Sequence, residues 1–434
     1  MLDRLSIHLA RRVDAAGLVV FRVMFGLLAS FTAIRFVAYG WVDTLLVAPD
    51  FHFTWIPGMP VANAPVLYGL FAIQALAGFA IAWGRWVRPS LLLWLCSFVY
   101  VELIDKTLYL NHYVLFSLVG LTLLVAPMGR LRLRSGEQTV ALWVIWLLRI
   151  QFGLVYFWAA IAKINGDWLF RAEPLSTWLG ARIDTPWVGS LLAHPDTAFC
   201  MSWGGLLYDF SIPFLLLYGP TRRLGFSLVL AFHLVVGALF PIGVFPFVMI
   251  AGATLFFDPA WPRRFLVKDC APNIQSAGVL SRGRTMMWTG VVLLLLLFPA
   301  RHFLWSGNVN WTEQGYRFSW RVLLNEKTGL VDYRVVDPQS GEVWRVLPRT
   351  ELTPLQHQHM RTQPDMIRDY ALHLKRRFTE RLGRDVEVYV DSLGPASTVA
   401  HLKSLFATIS ILPSPSRHSG GRVGLCPLST KARA

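Results

Sequence analysis

Charged residues are scarce in this 434-residue chain: Asp, Glu, Lys and Arg make up 15% of it, whereas hydrophobic residues make up 54%. The mean hydropathy is +0.47, and the apolar residues come in long blocks. A soluble domain needs more polar surface than this composition supplies. The composition therefore argues against a soluble enzyme and predicts an integral membrane protein.

Several common site patterns are also missing. The four cysteines are scattered, with no CxxC pair and no Cys/His spacing, so the sequence predicts neither a disulfide framework nor a zinc site. No HExxH or facial-triad spacing is present for a catalytic metal, and no GxGxxG follows a strand for a flavin or nicotinamide. We therefore expect no metal and no dinucleotide cofactor.

Acidic residues are outnumbered by basic ones, which gives a formal net charge of +15. The basic residues lie mostly in short loops between apolar segments, and residues 38–64 contain none. Loops rich in Lys and Arg that alternate with loops poor in them are the topology signal of a membrane protein. We therefore expect no nucleic-acid partner. The alternation predicts a cytoplasmic N-terminus and a C-terminal region outside. The compact length favours a bacterial inner membrane, with the C-terminal region on the periplasmic side.

About nine apolar segments are long enough to be considered as transmembrane helices. They cover roughly residues 15–37, 65–83, 90–104, 112–127, 140–162, 205–218, 224–240, 242–257 and 286–303.

The sequence changes character after about residue 304. The β-branched and aromatic runs FSWRVLLN, GLVDYRVVDP and GEVWRVLP are separated by turn signals and predict a small antiparallel meander. PDMIRDYALHLKRRFTERLG has helical periodicity and ends at a glycine, and DVEVYVD returns to strand. The predicted fold is an all-α polytopic membrane domain over residues 1–303, followed by a small α+β extramembrane domain over residues 304–392.

Ionisable side chains at membrane depth mark a site by default, because burying them is unfavourable. On the predicted topology, the outer ends of the third and fourth helices carry Glu102, Asp105, Lys106, Asn111 and His112. For Asp105 and Lys106 the simpler interpretation is a local ion pair. His233, alone in LAFHLVVGALF, is interpreted either as hydrogen-bonded to a neighbouring helix or as catalytic.

Lys163, in AAIAKINGDW, ends the fifth apolar segment, and no acidic residue upstream can neutralise it. Its ammonium could lift to the interface. Alternatively, burial could keep the amine neutral, and a neutral amine is a competent general base for an acidic lipid-soluble molecule such as a hydroquinone.

Five ordered blocks resemble the vitamin K-dependent γ-glutamyl carboxylase family, including its shorter bacterial relatives with an HTTM membrane domain. The blocks are DKTLYLNHYVLF (105–116), LLRIQFGLVYFWAAIAKINGDW (147–168), GGLLYDFSIPFLL (204–216), FHLVVGALFPIGVFPFVMIAGATLFFDPAWPRR (232–264) and HFLWSGNVNWTEQGYRFSW (302–320).

The resemblance implies a carboxylation chemistry. Lys163, before Asp167–Trp168, occupies the place of the family's catalytic lysine, which is thought to deprotonate reduced vitamin K, a menaquinol- or phylloquinol-type hydroquinone. Reaction with O2 then generates a strong base that removes a γ-proton from a protein glutamate. The carbanion adds CO2, and the quinone leaves as its epoxide.

Other positions follow from the same resemblance. Asn111–His112 corresponds to the family's Asn-His pair, implied in quinone binding and in stabilising the carbanion. Trp311 and Tyr316 correspond to the aromatic cluster near glutamate recognition. Possible substrate-binding or supporting residues are Asp105, Lys106, Asp167, Trp168, His233, His302, Trp311 and Tyr316.

Two departures affect the substrate side, and the end of the chain raises a third question. Gly315 stands where the animal enzymes carry a leucine associated with substrate glutamate, and the outer domain is truncated relative to the family. Residues 393–434 depart from the family pattern and lack strand or helix periodicity, so we interpret them as a disordered or frameshifted tail.

Three functions therefore remain open. The first is a lyase-type carboxylase that couples quinol epoxidation to CO2 addition at a glutamate-containing peptide or protein. The second is a quinone epoxidase without protein carboxylation. The third is a non-enzymatic HTTM membrane protein or transporter, although no internal repeat is visible.

Overall fold

The apolar segments form long helices in the computed structural model, which describes residues 2–126, 138–266 and 278–393. Within these ranges seven helices are long and apolar enough to cross a membrane, and two shorter apolar helices accompany them. The chain is therefore an integral membrane protein. The positive-inside orientation stays a prediction, and residues 127–137, 267–277 and most of the proposed tail lie outside the described ranges.

The helices of the described ranges are numbered in chain order. They are α1 (Leu2–Ala10), α2 (Ala16–Ala38), α3 (Ala64–Trp83), α4 (Val87–Ile104), α5 (Asn111–Val125), α6 (Leu142–Lys163), α7 (Gly166–Arg171), α8 (Leu175–Gly180), α9 (Gly189–Leu192), α10 (Pro195–Leu217), α11 (Arg222–Leu239), α12 (Phe245–Ala253), α13 (Arg263–Leu266), α14 (Arg282–Leu297), α15 (Val309–Thr312), α16 (Pro354–Met360) and α17 (Pro364–Leu382).

Helix α6 lies at the centre of the bundle, against α5, α10, α12 and α14. It is apolar on almost every face, as expected for a helix surrounded by other helices. The neighbouring pair α2 and α3 approaches closely at Gly26 and Gly78, where a Cβ on either residue would lie within 2.7 Å of the other's carbonyl oxygen. Small residues permit this close backbone approach, which strengthens packing between membrane helices.

The C-terminal region forms a three-stranded antiparallel sheet covered by α16 and α17. Two further short strands, one before α2 and one before α6, pair with each other. The strands are β1 (Arg12–Asp14), β2 (Thr139–Ala141), β3 (Leu330–Val336), β4 (Val343–Val346) and β5 (Glu387–Leu393), and the sheet order is β4-β3-β5. Alternate residues of β3 face the core, and Tyr333 and Val335 are fully buried there. The α+β prediction is therefore confirmed, as is the glycine stop of α17 at Gly383.

The predicted strand FSWRVLLN (318–325) is wrong. This segment is irregular, and Phe318, Trp320 and Leu323 have positive φ angles of 60°, 57° and 53°. The third strand of the sheet comes from DVEVYVD instead. The β-branched and aromatic composition was misleading because the segment packs against the helical bundle rather than entering a sheet.

Asp105 joins the helical bundle to the C-terminal domain. Its carboxylate is fully buried and accepts hydrogen bonds from the Thr107 backbone N–H at 2.9 Å and from Gln356 Nε2 at 2.9 Å. Lys106 instead forms ion pairs with Asp365 and Asp369 on α17. The predicted local Asp105–Lys106 ion pair is therefore wrong, because the two side chains point to different partners in the C-terminal domain.

Candidate functional site

A tight turn fixes the position of Lys163. Lys163 is the last residue of α6, and Asn165 is the N-cap of α7, with its side-chain oxygen accepting from the Trp168 N–H at 3.0 Å. The Asn165 amide also donates to the Ala162 carbonyl at 2.9 Å. An N-cap asparagine satisfies backbone donors that a helix start leaves free. The motif KINGDW therefore turns the chain directly after the lysine and holds its backbone in place.

Lys163 has an acidic partner from another helix. Its Nζ donates to Asp209 Oδ2 at 2.6 Å, and each side chain is 8% exposed. Asp209 lies inside GGLLYDFSIPFLL of α10 and was missed by the sequence analysis, although an aspartate in an apolar run was an available signal. The lysine is thus neither lifted to an interface nor alone. A buried charge needs such a partner.

The pair opens into a mostly apolar cavity, here called the lysine cavity. The Trp168 ring lies 5.1 Å from Lys163 Nζ, and its Nε1 donates to the Ser202 carbonyl at 2.8 Å. His233 lines the cavity too, with Nε2 3.1 Å from the Tyr156 hydroxyl. The histidine therefore has the neighbouring-helix partner that one interpretation anticipated, and its Nδ1 has no hydrogen-bond partner among the described residues.

Asn111 and His112 line a second cavity, here called the arginine cavity because Arg35 and Arg321 line it as well. The Asn111 amide donates to the Arg321 carbonyl at 2.9 Å. Its side-chain oxygen accepts from the Tyr109 hydroxyl at 2.9 Å. No acidic side chain is among the described residues that line this cavity. Sequence analysis found the Asn-His pair but neither arginine.

A thin wall separates the two cavities. Phe245, Val322 and Leu323 line both of them. The Phe245 ring lies 5.7 Å, centre to centre, from His112 on one side and from His233 on the other. The residues predicted to act together are therefore neighbours across one layer of side chains, and they do not share a single pocket.

The irregular segment 313–325 builds this wall and one side of the arginine cavity. The Phe318 N–H donates to the Tyr109 hydroxyl at 2.5 Å, which ties the segment to the loop before α5. Each left-handed non-glycine residue costs about 1–3 kcal/mol and persists only where surrounding contacts impose it. Such clustering near a cavity is typical of functional sites.

His302 supports Arg321 and does not line either cavity. Its Nδ1 lies 2.8 Å from the Pro299 carbonyl oxygen, and its Nε2 lies 3.2 Å from an Arg321 nitrogen. Gly315 packs beneath it with φ +73°, and a Cβ there would come within 2.9 Å of the His302 Cα. The glycine is therefore required by the local packing of this chain, where a leucine would not fit.

Several predicted site residues lie outside both cavities. Asp167 pairs with Arg171 at 3.1 Å on the surface. Asp105 and Lys106 lie at the junction with the C-terminal domain. Trp311 lies in α15 and Tyr316 follows it in the next turn. Burial, together with the nearby Glu313, raises the Tyr316 pKa above its ordinary value. The structure therefore brings together the residues predicted to bind quinone as two adjacent groups, and it leaves these five outside.

Two family models match the chain. Residues 10–261 match the HTTM domain, and residues 282–397 match the vitamin K-dependent gamma-carboxylase lumenal domain. Among solved structures, none matches. The second range includes α14, the last candidate membrane helix, as well as the region that carries the sheet.

Proposed function

This chain belongs to the vitamin K-dependent gamma-carboxylase family, and from that premise we propose that it couples O2-dependent epoxidation of a reduced naphthoquinone to CO2 addition at glutamate. The observation that carries the proposal is the buried Lys163–Asp209 pair, which lines a mostly apolar cavity. The match to the lumenal domain favours a carboxylase over a non-enzymatic HTTM membrane protein or transporter.

The lysine cavity suits a hydroquinone ring. Its walls combine aromatic and aliphatic side chains, and its polar groups are few: Lys163, Asp209, Tyr156 and His233. The buried, unpartnered Nδ1 of His233 can hydrogen-bond to a ligand hydroxyl. Ligand sites are typically apolar clefts with a small number of placed polar groups.

Lys163 is proposed to accept the hydroxyl proton of the quinol. The 2.6 Å contact allows the proton between Lys163 Nζ and Asp209 Oδ2 to move to the carboxylate, which leaves a neutral amine as the base. Asp209 then holds that proton while Lys163 receives the one from the quinol. When bound, O2 would be the oxidant and the reduced quinone the reductant, and the two would end as quinone epoxide and water.

Asn111 and His112 are proposed to serve both the quinol and the substrate glutamate, from the other side of the wall. The glutamate would give its γ-proton to the strong base generated from the quinol and O2, and a new carbon–carbon bond to CO2 would form at that carbon. A carbanion reprotonates in water, so the buried position of His112 and the narrow wall favour carboxylation by limiting water access.

Orientation and partners are part of the same proposal. The cavities lie at the end of the bundle that carries the C-terminal domain, and we assign that end to the periplasmic side of a bacterial inner membrane. The quinol would enter from the bilayer, and a glutamate-containing peptide or protein would enter from the aqueous side. The loss of a leucine at Gly315 makes epoxidation without carboxylation the competing outcome.

The test uses the full chain in lipid nanodiscs with a reduced naphthoquinone, O2, radiolabelled CO2 and a glutamate peptide. We expect both epoxide and fixed label, and Lys163→Ala should lower both by about 10²–10⁴-fold, the usual range for removing a general base. Lys375→Ala, which removes a lysine paired with Asp385 on the outer surface, is the matched control.

Epoxide without fixed label would establish the epoxidase alone. Undiminished turnover in a folded Lys163→Ala protein would refute the assignment of the base.

A further inference from the structure

Three residues that line the arginine cavity each have a buried nitrogen without a hydrogen-bond partner among the described residues. These nitrogens are Arg35 Nε, Arg321 Nε and His112 Nε2. More than about 90% of buried polar groups in folded proteins are paired, so three unpaired nitrogens around one cavity need an explanation. A ligand that accepts hydrogen bonds provides one.

The charge of the cavity points to an anion. Arg35 and Arg321 bring two positive charges, and neither forms an ion pair with a carboxylate in the described part of the chain. Glu313 is the carboxylate that acts electrostatically on Arg321, and it is itself paired with Lys327. An uncompensated pair of guanidinium groups attracts a carboxylate or phosphate, which they bind through planar, forked hydrogen bonds.

Contacts with neighbouring residues hold both guanidinium groups in place. Arg321 donates to Asn310 Oδ1 at 2.8 Å and contacts His302, which leaves its Nε unpaired. Arg35 stacks on the Trp41 ring at 5.2 Å, and its terminal nitrogens lie against Gly243. A preorganised site of this kind spends less binding free energy on ordering its own side chains.

We infer that the arginine cavity is a carboxylate site, in which Arg35 and Arg321 hold the side-chain carboxylate of a glutamate beside His112. The apolar lining, which includes Leu110 and Ile242, suits the aliphatic part of such a side chain better than it suits free bicarbonate. Neutralising the carboxylate also makes the adjacent carbon easier to deprotonate, because the new negative charge no longer forms beside an unbalanced one. The choice of glutamate rests on the proposed function.

The test is an equilibrium binding measurement in phosphatidylcholine nanodiscs without quinone, O2 or added CO2. The probes are a blocked peptide with one glutamate and its glutamine counterpart. We expect the full chain to prefer the glutamate peptide by about tenfold or more, since hydrogen bonds to charged groups are the strong ones. Arg35→Gln and Arg321→Gln should remove most of that preference, and Arg321→Lys should restore only part of it.

Arg376→Gln is the matched control. Arg376 is an exposed arginine on α17 that lines a separate cavity between the loop around Trp55 and the C-terminal domain. Its removal should leave the preference unchanged. Equal affinity for both peptides, loss of the preference in Arg376→Gln, or retention of the preference in both cavity variants would each overturn the inference.

A second measurement needs no variant. In the wild-type protein the glutamate peptide should protect Arg35 and Arg321 from an arginine-selective dicarbonyl reagent, and the glutamine peptide should not. Protection by phosphatidylglycerol with no protection by the glutamate peptide would identify the anion as a lipid headgroup and overturn the assignment. Binding and turnover are measured separately, so the two proposals can fail separately. Preference for the glutamate peptide with no epoxide or fixed CO2 would contradict only the proposed function. Turnover with equal affinity for the two peptides would contradict only this inference.

Discussion

The two cavities solve the problem of buried charge in opposite ways. In the lysine cavity the positive charge of Lys163 meets Asp209 at 2.6 Å, so the site is balanced before any ligand arrives. In the arginine cavity Arg35 and Arg321 have no carboxylate partner in the described ranges. The first arrangement suits a neutral ligand that exchanges a proton, and the second suits an anion. One layer of side chains, centred on Phe245, separates the two cavities.

The two cavities also differ in what builds them. The lysine cavity is formed mainly by α6, α10, α11 and α12 of the bundle. The arginine cavity needs Arg321 from the irregular segment after α15, which is anchored by Tyr109 and by the C-terminal domain. Changes at the domain junction should therefore disturb anion binding more than quinol chemistry.

The largest expected effect comes from breaking the balance at Lys163. Asp209→Asn leaves a buried ammonium without its partner and should lower the free energy of unfolding by about 3–5 kcal/mol. The double variant Lys163→Met/Asp209→Asn should recover much of that loss. Thermal unfolding of the wild type and these two variants in one detergent measures both changes. Asp167→Asn, which removes the exposed pair with Arg171, should change stability by less than about 1 kcal/mol.

If Asp209→Asn proved as stable as the wild type, Asp209 would not be needed to balance the charge of Lys163, and the contrast between the two cavities would be wrong.

The next effect concerns the junction at Asp105. Burial by itself raises the Asp105 pKa, but hydrogen bonds from His52, Thr107 and Gln356 outweigh burial and hold the pKa below the ordinary value of 3.8. The stabilisation is therefore complete above pH 3.8 and is lost as the pH falls through the lower folded pKa. Asp105→Asn should cost about 2–3 kcal/mol at neutral pH and should remove that part of the acid dependence.

Unfolding from pH 6 down to pH 3 would measure this, and the same variant should weaken glutamate-peptide binding more than quinol turnover. An equal loss of both would show that the C-terminal domain supports the two cavities alike.

A smaller effect is expected at Gly315. Gly315→Ala adds left-handed strain of about 1–2 kcal/mol and pushes its Cβ against His302, which contacts Arg321. Peptide affinity should fall severalfold. Gly341→Ala has the same φ of +73° in open space, so it reproduces the strain without the contact. Matching losses of peptide affinity in the two variants would exclude transmission through His302.

The smallest effect concerns the wall. Phe245→Ala should join the cavities and admit water, and we expect epoxide formed per CO2 fixed to rise by a few-fold because the carbanion is quenched more often. Phe247→Ala, on the exposed side of the same helix, is the control. A ratio equal to that of the wild type would mean that Phe245 does not govern communication between the cavities.

Local patterns predicted the elements well and their assembly poorly. Apolar run lengths located the helices, because a helix in lipid must satisfy its backbone internally and present apolar side chains outward. The composition of FSWRVLLN favours a strand, but the segment is irregular. Its hydrogen bonds with Tyr109 and Asn111 hold it between the two cavities. Composition predicts local preference, and tertiary contacts override it.

The sequence by itself determined that this chain is a membrane protein with a small α+β C-terminal region, and its ordered motifs indicated the family. It also located Lys163 and the Asn111–His112 pair, because polar residues stand out in an apolar sequence. Only the tertiary structure decided that Lys163 meets Asp209, 46 residues away, and that Arg35 and Arg321, which are far apart in the sequence, line one cavity. Partners so distant along the chain become neighbours only when helices pack, and side-chain electrostatics depends on that distance in space.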